Sequence, residues 1–131
     1  MTKQGSGSDT LIQLLVEMNQ NGGFPISVLT DEQGLAIASA SRVGMDADRQ
    51  SAVVAFVQKM AGQVTRQLGM GATDEIALND ENGQRLICRS FRVSGHELIL
   101  AVIVSDKGAS YRRATNLVIR EIRQTWKQYW E

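Results

Sequence analysis

The sequence predicts an α+β fold in which a five-stranded antiparallel sheet carries helices on both faces. The central observation is Leu98–Val104, an unbroken run of apolar residues rich in β-branched side chains. A strand with one face in water would alternate apolar and polar residues, so this run indicates a strand that is covered on both sides. Three amphipathic segments elsewhere in the chain can supply that cover, which is why helices are expected on both faces.

The first third of the chain predicts a helix followed by a hairpin. Ser8 or Asp9 can cap a helix with leucines at helical spacing, and Asn21-Gly22-Gly23 ends it. Phe24–Thr30 and Leu35–Ser39 are predicted strands, joined by a turn of acidic and amide residues followed by glycine. The two strands are therefore expected to pair as neighbours in the sheet.

A second helix is predicted over Asp46–Leu68, with an acidic residue near its amino end and glycines after its carboxyl end. Its large apolar residues recur at 3.6-residue spacing, which predicts that they form the face packed on the core. These residues are Val53, Phe56, Val57, Met60, Ala61, Val64 and Leu68.

The rest of the chain predicts three strands and a last helix. Ile76–Leu78 and Gln84–Val93 are strands joined by a turn with an Asn-Gly signal, and Ser94-Gly95 leads into Leu98–Val104. Apolar residues line one side of a helix over Tyr111–Trp130. The predicted order is α-β-β-α-β-β-β-α.

Length and composition indicate one domain without strong charge. The chain has 131 residues, and fourteen basic residues balance fourteen acidic ones, so no net charge favours nucleic acid or an anionic membrane. Residues 1–8 contain Gly-Ser-Gly-Ser and lack the apolar block of a secretory signal. We therefore expect a flexible tail over 1–8, a single domain over 9–131 and a cytoplasmic location.

Catalytic and cofactor chemistry is not predicted. Cys88 and His96 are the candidates for a nucleophile and a base, but the predicted strands place them roughly 17 Å apart at about 3.4 Å per residue. Cys88 is interpreted as a core or edge residue and His96 as an exposed turn residue. No phosphate-binding glycine motif, zinc spacing or calcium loop occurs, so neither a cofactor nor a metal is expected.

Two surfaces are candidates for partners. On a helical wheel, the side of the second helix opposite its predicted core face has small side chains at its centre. Small side chains would let another helix approach closely, although such residues can also be merely tolerated there. This small strip comprises Ser51, Ala55, Gln58, Lys59, Gly62 and Arg66. The last helix carries a basic stripe that could meet nucleic acid, an anionic membrane or an acidic protein, or could simply be solvated. It comprises Arg112, Arg113, Arg120, Arg123 and Lys127.

The ordered set of features resembles the roadblock or dynein-light-chain family, including its bacterial gliding-motility member. The resemblance rests on the leucine-bearing first helix, on Gly23-Phe24 leading into Val28–Leu35, on the Ala/Val-rich second helix, and on Leu98–Val104 followed by a terminal helix. It covers nearly the whole chain after the tail.

The resemblance implies a profilin-like roadblock fold and a homodimer. In such a dimer the second helices pair, and the third strands, here Ile76, Ala77 and Leu78, join two sheets into one. It also implies docking of a small Ras-like GTPase on the paired second helices, a surface that would include the small strip. Members of the family have no catalytic residues of their own.

Three functions follow as hypotheses. The first is a non-enzymatic homodimeric regulator that binds a small Ras-like GTPase and modulates its nucleotide state. The alternatives are a small-molecule sensor module, which needs a cavity that the bulky central strand disfavours, and a structural adaptor of a motor or scaffold complex, for which the dimer alone would suffice.

Overall fold

A computed structural model describes the backbone of residues 3–131 and the side chains of residues 7–131. Within that range the element order is the predicted one, α-β-β-α-β-β-β-α. The bounds are α1 Lys3–Gly22, β1 Ile26–Asp31, β2 Ala36–Ser41, α2 Ala47–Gln67, β3 Glu75–Asn79, β4 Arg85–Val93, β5 His96–Val104 and α3 Arg112–Trp130.

The five strands form one antiparallel sheet in the order β2-β1-β5-β4-β3. The predicted central strand is confirmed, since β5 lies between β1 and β4 and Leu100 and Ala101 are fully buried. The pairing of β1 with β5 joins the β1–β2 hairpin to the three strands β3, β4 and β5. Strands β2 and β3 therefore lie at the two edges of the sheet.

Helices cover both faces of the sheet, as predicted. Alternate residues of β5 point to opposite faces, so Leu98 and Leu100 pack in the larger core cluster while Ile99 packs in the smaller one. Helices α1 and α3 supply the larger cluster, through residues such as Leu15 and Ile122. Helix α2 supplies the smaller cluster with one fully buried large side chain, Val54.

The two predicted hairpin turns have the same geometry. The Asp31 carboxylate accepts hydrogen bonds from the backbone N–H groups of Gln33 and Leu35, each at 2.9 Å. The Asp80 carboxylate accepts from Asn82 and Gln84 at 2.9 and 2.8 Å. In both turns an aspartate closes the loop, and the β1–β2 turn projects toward α2.

The predicted start of the first helix at Ser8 or Asp9 is wrong, because the helix begins at Lys3. Residues 3–8 of the predicted flexible tail are therefore helical, and Met1 and Thr2 lie outside the described residues. Gly7 is buried, and a Cβ atom built on it would lie 3.0 Å from Tyr129 Cβ. Packing against the end of α3 thus extends the helix into residues of low helical propensity. The domain bounds of 9–131 stay a prediction.

Candidate functional site

Helix α2 is oriented differently from the sequence prediction. The predicted core face is wrong for most of its members, since the buried residues of α2 are Gln50, Ser51 and Val54. Of the predicted set, Val57 and Ala61 are half-buried, and Val53, Phe56, Met60, Val64 and Leu68 are exposed. The physical reason is the close approach of the β1–β2 hairpin. A Cβ atom built on Gly34 would lie 2.2 Å from Ala55 Cβ and 3.2 Å from the Ser51 carbonyl oxygen, so only a small helix face fits there.

The small strip consequently lies against its own protomer. Ser51 is 5% exposed, and Ala55, Gln58 and Gly62 are half-buried. The Gln58 amide donates to Ser90 Oγ at 3.1 Å, which ties the helix to β4. Ser51 is thus covered by its own chain, whereas Ala55, Gln58 and Gly62 keep part of their surface open. That the small strip meets a partner stays a prediction. Lys59 and Arg66, on the outer border of the strip, are exposed.

A groove brings most of the small strip together. It has a volume of about 360 Å³ and lies beside the segment that follows α2. Two carboxylate side chains, Glu32 and Glu97, face it together with the cations of Lys59 and Arg66. Its lining includes Ala55, Gln58, Lys59, Gly62 and Arg66. Five of the six residues predicted from the helical wheel are thus neighbours in space.

The large apolar residues of α2 form an exposed surface, which we call the apolar face. Phe56 is 65% exposed and Val64 is 50% exposed, values far above those of core residues. The other members are Val53, Met60 and Leu68, at 44%, 43% and 68%. Large apolar side chains at i, i+3, i+4 spacing that face solvent together make this helix face a candidate interaction surface.

The outer edge of β3 is the second exposed feature, at one end of the sheet. Within the described residues β3 pairs with β4 alone, so the backbone groups on its other side face no strand. Ala77 and Leu78 are exposed, and Ile76 packs against the cluster that contains Val54. Ile76 of β3 and Val54 of α2 thus contribute to the same core cluster, on the same face of the sheet.

Glu75 anchors that edge strand to the opposite layer of the fold. Its carboxylate lies 3.7 Å from Arg89 Nε, accepts from the Tyr111 hydroxyl at 2.7 Å, and lies 3.3 Å from Arg112 Nη1. Arg89 also donates to Thr115 Oγ1 at 2.8 Å. The hydrogen bond to Glu75 raises the pKa of Tyr111 above its usual value. The sequence analysis missed this network, since its partners are distant in the chain and no motif links them.

Replacing Glu75 with alanine should lower the free energy of unfolding by roughly 2 kcal/mol, because the Arg89 side chain, only 13% exposed, loses its counterion. Urea unfolding followed by circular dichroism measures this. Asp74→Ala is the matched control, since the neighbouring Asp74 is exposed and forms no ion pair within the described residues. Equal midpoints for the two variants would contradict a stabilising role for the network.

The two residues considered for catalysis lie far apart in the register. Cys88 is fully buried opposite Ala101, and burial raises the pKa of its thiol to about 12, so it is a core residue as interpreted. His96 is exposed opposite Val93, with its ring 5.6 Å from that of Trp126. Among the described residues no group of three His, Cys, Asp or Glu side chains could hold a metal ion. No helix in this part of the chain is both long and apolar enough to span a membrane.

The layered sheet and the pairing of its strands define a roadblock/LC7 type of fold. A roadblock/LC7 domain from Streptomyces avermitilis superimposes with a TM-score of 0.70 at 16% identity, over 90% of this chain and 95% of that one. The resemblance to the roadblock family is thereby confirmed at the level of the fold.

Among individual proteins, the chain is similar to the gliding protein MglB of Thermus thermophilus. The TM-score is 0.74 at 15% identity, covering 93% of this chain and 92% of MglB. A second structure, described as MglB with a tetrameric arrangement, gives a TM-score of 0.75 at 15% identity, over 94% and 92% of the two chains.

Comparison of sequences finds two relatives. Two uncharacterized proteins of Methanocaldococcus jannaschii are each 27% identical over 95 residues, which is 72% of this chain and 79% of theirs. No family model matches the chain. The fold is therefore assigned by structure rather than by sequence.

Proposed function

We propose that the protein is a homodimer in which α2 and β3 of one copy pair with the same elements of a second copy. The observation that carries this proposal is the apolar face, where Phe56 and Leu68 are 65% and 68% exposed in a single chain. A second copy offers an identical apolar face, and isologous pairing is the commonest arrangement of soluble oligomers. A structure of the MglB fold that is described as a tetrameric arrangement supports self-association.

The β3 edge determines how the two copies would be placed. Two identical antiparallel strands in one sheet are related by a twofold axis perpendicular to that sheet. Pairing through Ile76, Ala77 and Leu78 would thus continue the sheet from one copy into the other. Both α2 helices would lie side by side on one face, where their apolar faces can cover each other.

We further propose that this dimer binds a small Ras-like GTPase and regulates its nucleotide state without catalytic residues of its own. The fold shared with MglB and the implication of the roadblock resemblance support this function. Lys59 and Arg66 are exposed on the opposite flank of α2 from the apolar face, so dimerisation would leave them available to the GTPase. The buried members of the small strip would hold that flank in place. The cytoplasmic location stays a prediction.

The test is a titration of the purified dimer with the Ras-like GTPase encoded nearest to its gene, loaded with GDP or with a non-hydrolysable GTP analogue. A regulator must bind the two states with different affinity. We expect a difference of at least about tenfold, within the usual range of coupling. Equal affinity would indicate a structural adaptor instead, and absence of binding in both states would contradict the GTPase proposal.

A further inference from the structure

The exposed side of α3 is strongly basic. The helix places five cations, Arg112, Arg113, Arg120, Arg123 and Lys127, within about a third of its circumference, and all five are exposed. We call this surface the basic face. The helix contains a single acidic residue, the half-buried Glu121. Because the chain as a whole is neutral, the basic face is balanced by carboxylates elsewhere, including those of the two hairpin turns.

Three members of the basic face have neither a counterion nor a side-chain hydrogen bond in the described part of the protein. Arg113, Arg120 and Lys127 form no ion pair there, whereas Arg112 pairs with Glu75 and the Arg123 Nε donates to the Arg92 carbonyl oxygen at 3.1 Å. Successive members of this unpaired set are seven residues apart, or roughly 10.5 Å along the helix. They form a row, about 21 Å long, of cations that have no ion-pair partner in the described part of the chain.

The basic face and the proposed dimer surface lie on opposite sides of the sheet. Helix α3 packs in the larger core cluster and α2 in the smaller one, so α3 points away from any partner bound at α2. If the β3 edges pair around an axis perpendicular to the sheet, both α3 helices lie on one side of the dimer. The two rows of cations would then face the same way and present one extended positive surface.

We propose that the basic face docks on the surface of an anionic lipid bilayer. Leu117, 49% exposed, follows Arg113 by one turn and precedes Arg120 by one turn, so an apolar side chain stands beside the two cations. An outward helix face that combines arginines with an apolar side chain is typical of peripheral contact with anionic headgroups. The doubling of this surface rests on the proposed dimer, while the basic face itself belongs to each chain.

A bilayer fits these observations better than the other polyanions do. Proteins that bind single-stranded nucleic acid stack successive bases on several aromatic side chains among the cations. Here a single exposed aromatic residue of α3, Trp130, lies beyond the end of the row, and none lies between Arg113 and Lys127 on the outward side. An acidic protein patch would need carboxylates placed in register with these cations, which stand about 10.5 Å apart. A flat array of negative headgroups needs no register and matches two parallel rows.

The experiment is co-sedimentation of the full chain with phosphatidylcholine vesicles, with or without about 30% phosphatidylserine. We expect binding only to the anionic vesicles, at about 50 mM salt and not at about 300 mM salt. Arg120→Glu should weaken that binding at least about tenfold. Arg42→Glu is the matched control, since it reverses one exposed charge outside α3 and should retain binding within about twofold.

The inference would be overturned if the unmodified chain failed to sediment with anionic vesicles at low salt. It would also be overturned if both variants lost binding equally. Binding to a soluble polyglutamate peptide but not to vesicles would also reject a lipid surface, and would indicate an acidic protein. Light scattering on the same protein without vesicles reports the dimer, so failure of lipid binding with an intact dimer leaves the proposed function standing.

Discussion

Phe56→Glu is expected to convert the proposed dimer into a monomer that remains folded. Phe56 is 65% exposed in the single chain, so its replacement removes no core packing. In an isologous interface each substitution acts twice, and burying a carboxylate among apolar side chains costs at least about 2 kcal/mol each time. The dissociation constant should therefore rise roughly a thousandfold, since about 1.4 kcal/mol corresponds to a factor of ten. Sedimentation equilibrium measures it, and circular dichroism reports the fold.

Ile12→Glu is the matched control for this variant. Ile12 is also a large apolar residue on a helix and is 41% exposed, but it lies on α1, in the layer on the other side of the sheet. The Ile12 variant should keep the dissociation constant of the original chain within a few-fold. Unchanged association of Phe56→Glu would show that α2 is not the dimer surface.

Gly34→Ala is expected to lower the free energy of unfolding by about 2–5 kcal/mol, a large part of the stability of a small domain. Gly34 has a φ angle of +85°, where a side chain costs about 1–2 kcal/mol. Its new Cβ atom would also lie 2.2 Å from Ala55 Cβ, and such overpacking costs about 1–3 kcal/mol more. Urea unfolding monitored by circular dichroism measures the sum.

Two further variants separate these contributions. Gly44→Ala has a similar φ angle of +89° with no atom near its Cβ position, so it should cost only about 1–2 kcal/mol. Adding Ala55→Gly to Gly34→Ala removes the closest contact, so the double variant should lose less stability than the sum of the single changes. Equal effects of the Gly34 and Gly44 changes, or strict additivity of the double variant, would contradict close packing of the hairpin on α2.

The fold was predictable because its signals are local. The unbroken run Leu98–Val104 indicated a strand with two covered faces, and the acidic turns ending in glycine fixed the position of the hairpins. The start of α1 was not predictable in this way. Residues 5–8, Gly-Ser-Gly-Ser, are poor helix formers, and Gly7 packs against the far end of the chain at Tyr129 and Trp130.

The second helix was predicted correctly, but most of the face that was predicted to pack on the core is exposed. Helical periodicity shows that Val53, Phe56 and Val64 share a face, but it does not show whether that face is covered by the same chain or by another. In α2 the core contact is made by small and polar residues, because Gly34 brings the hairpin backbone close to Ala55. That contact depends on tertiary geometry, for which the sequence carries no periodic signal.

The central claim is that a second copy of the chain covers the apolar face of α2. Its most direct test is the molar mass of the native protein by multi-angle light scattering at micromolar concentration. We predict twice the 14.4 kDa of the single chain. A mass of 14.4 kDa at every concentration measured would leave Phe56 and its neighbours in solvent, and would contradict the claim.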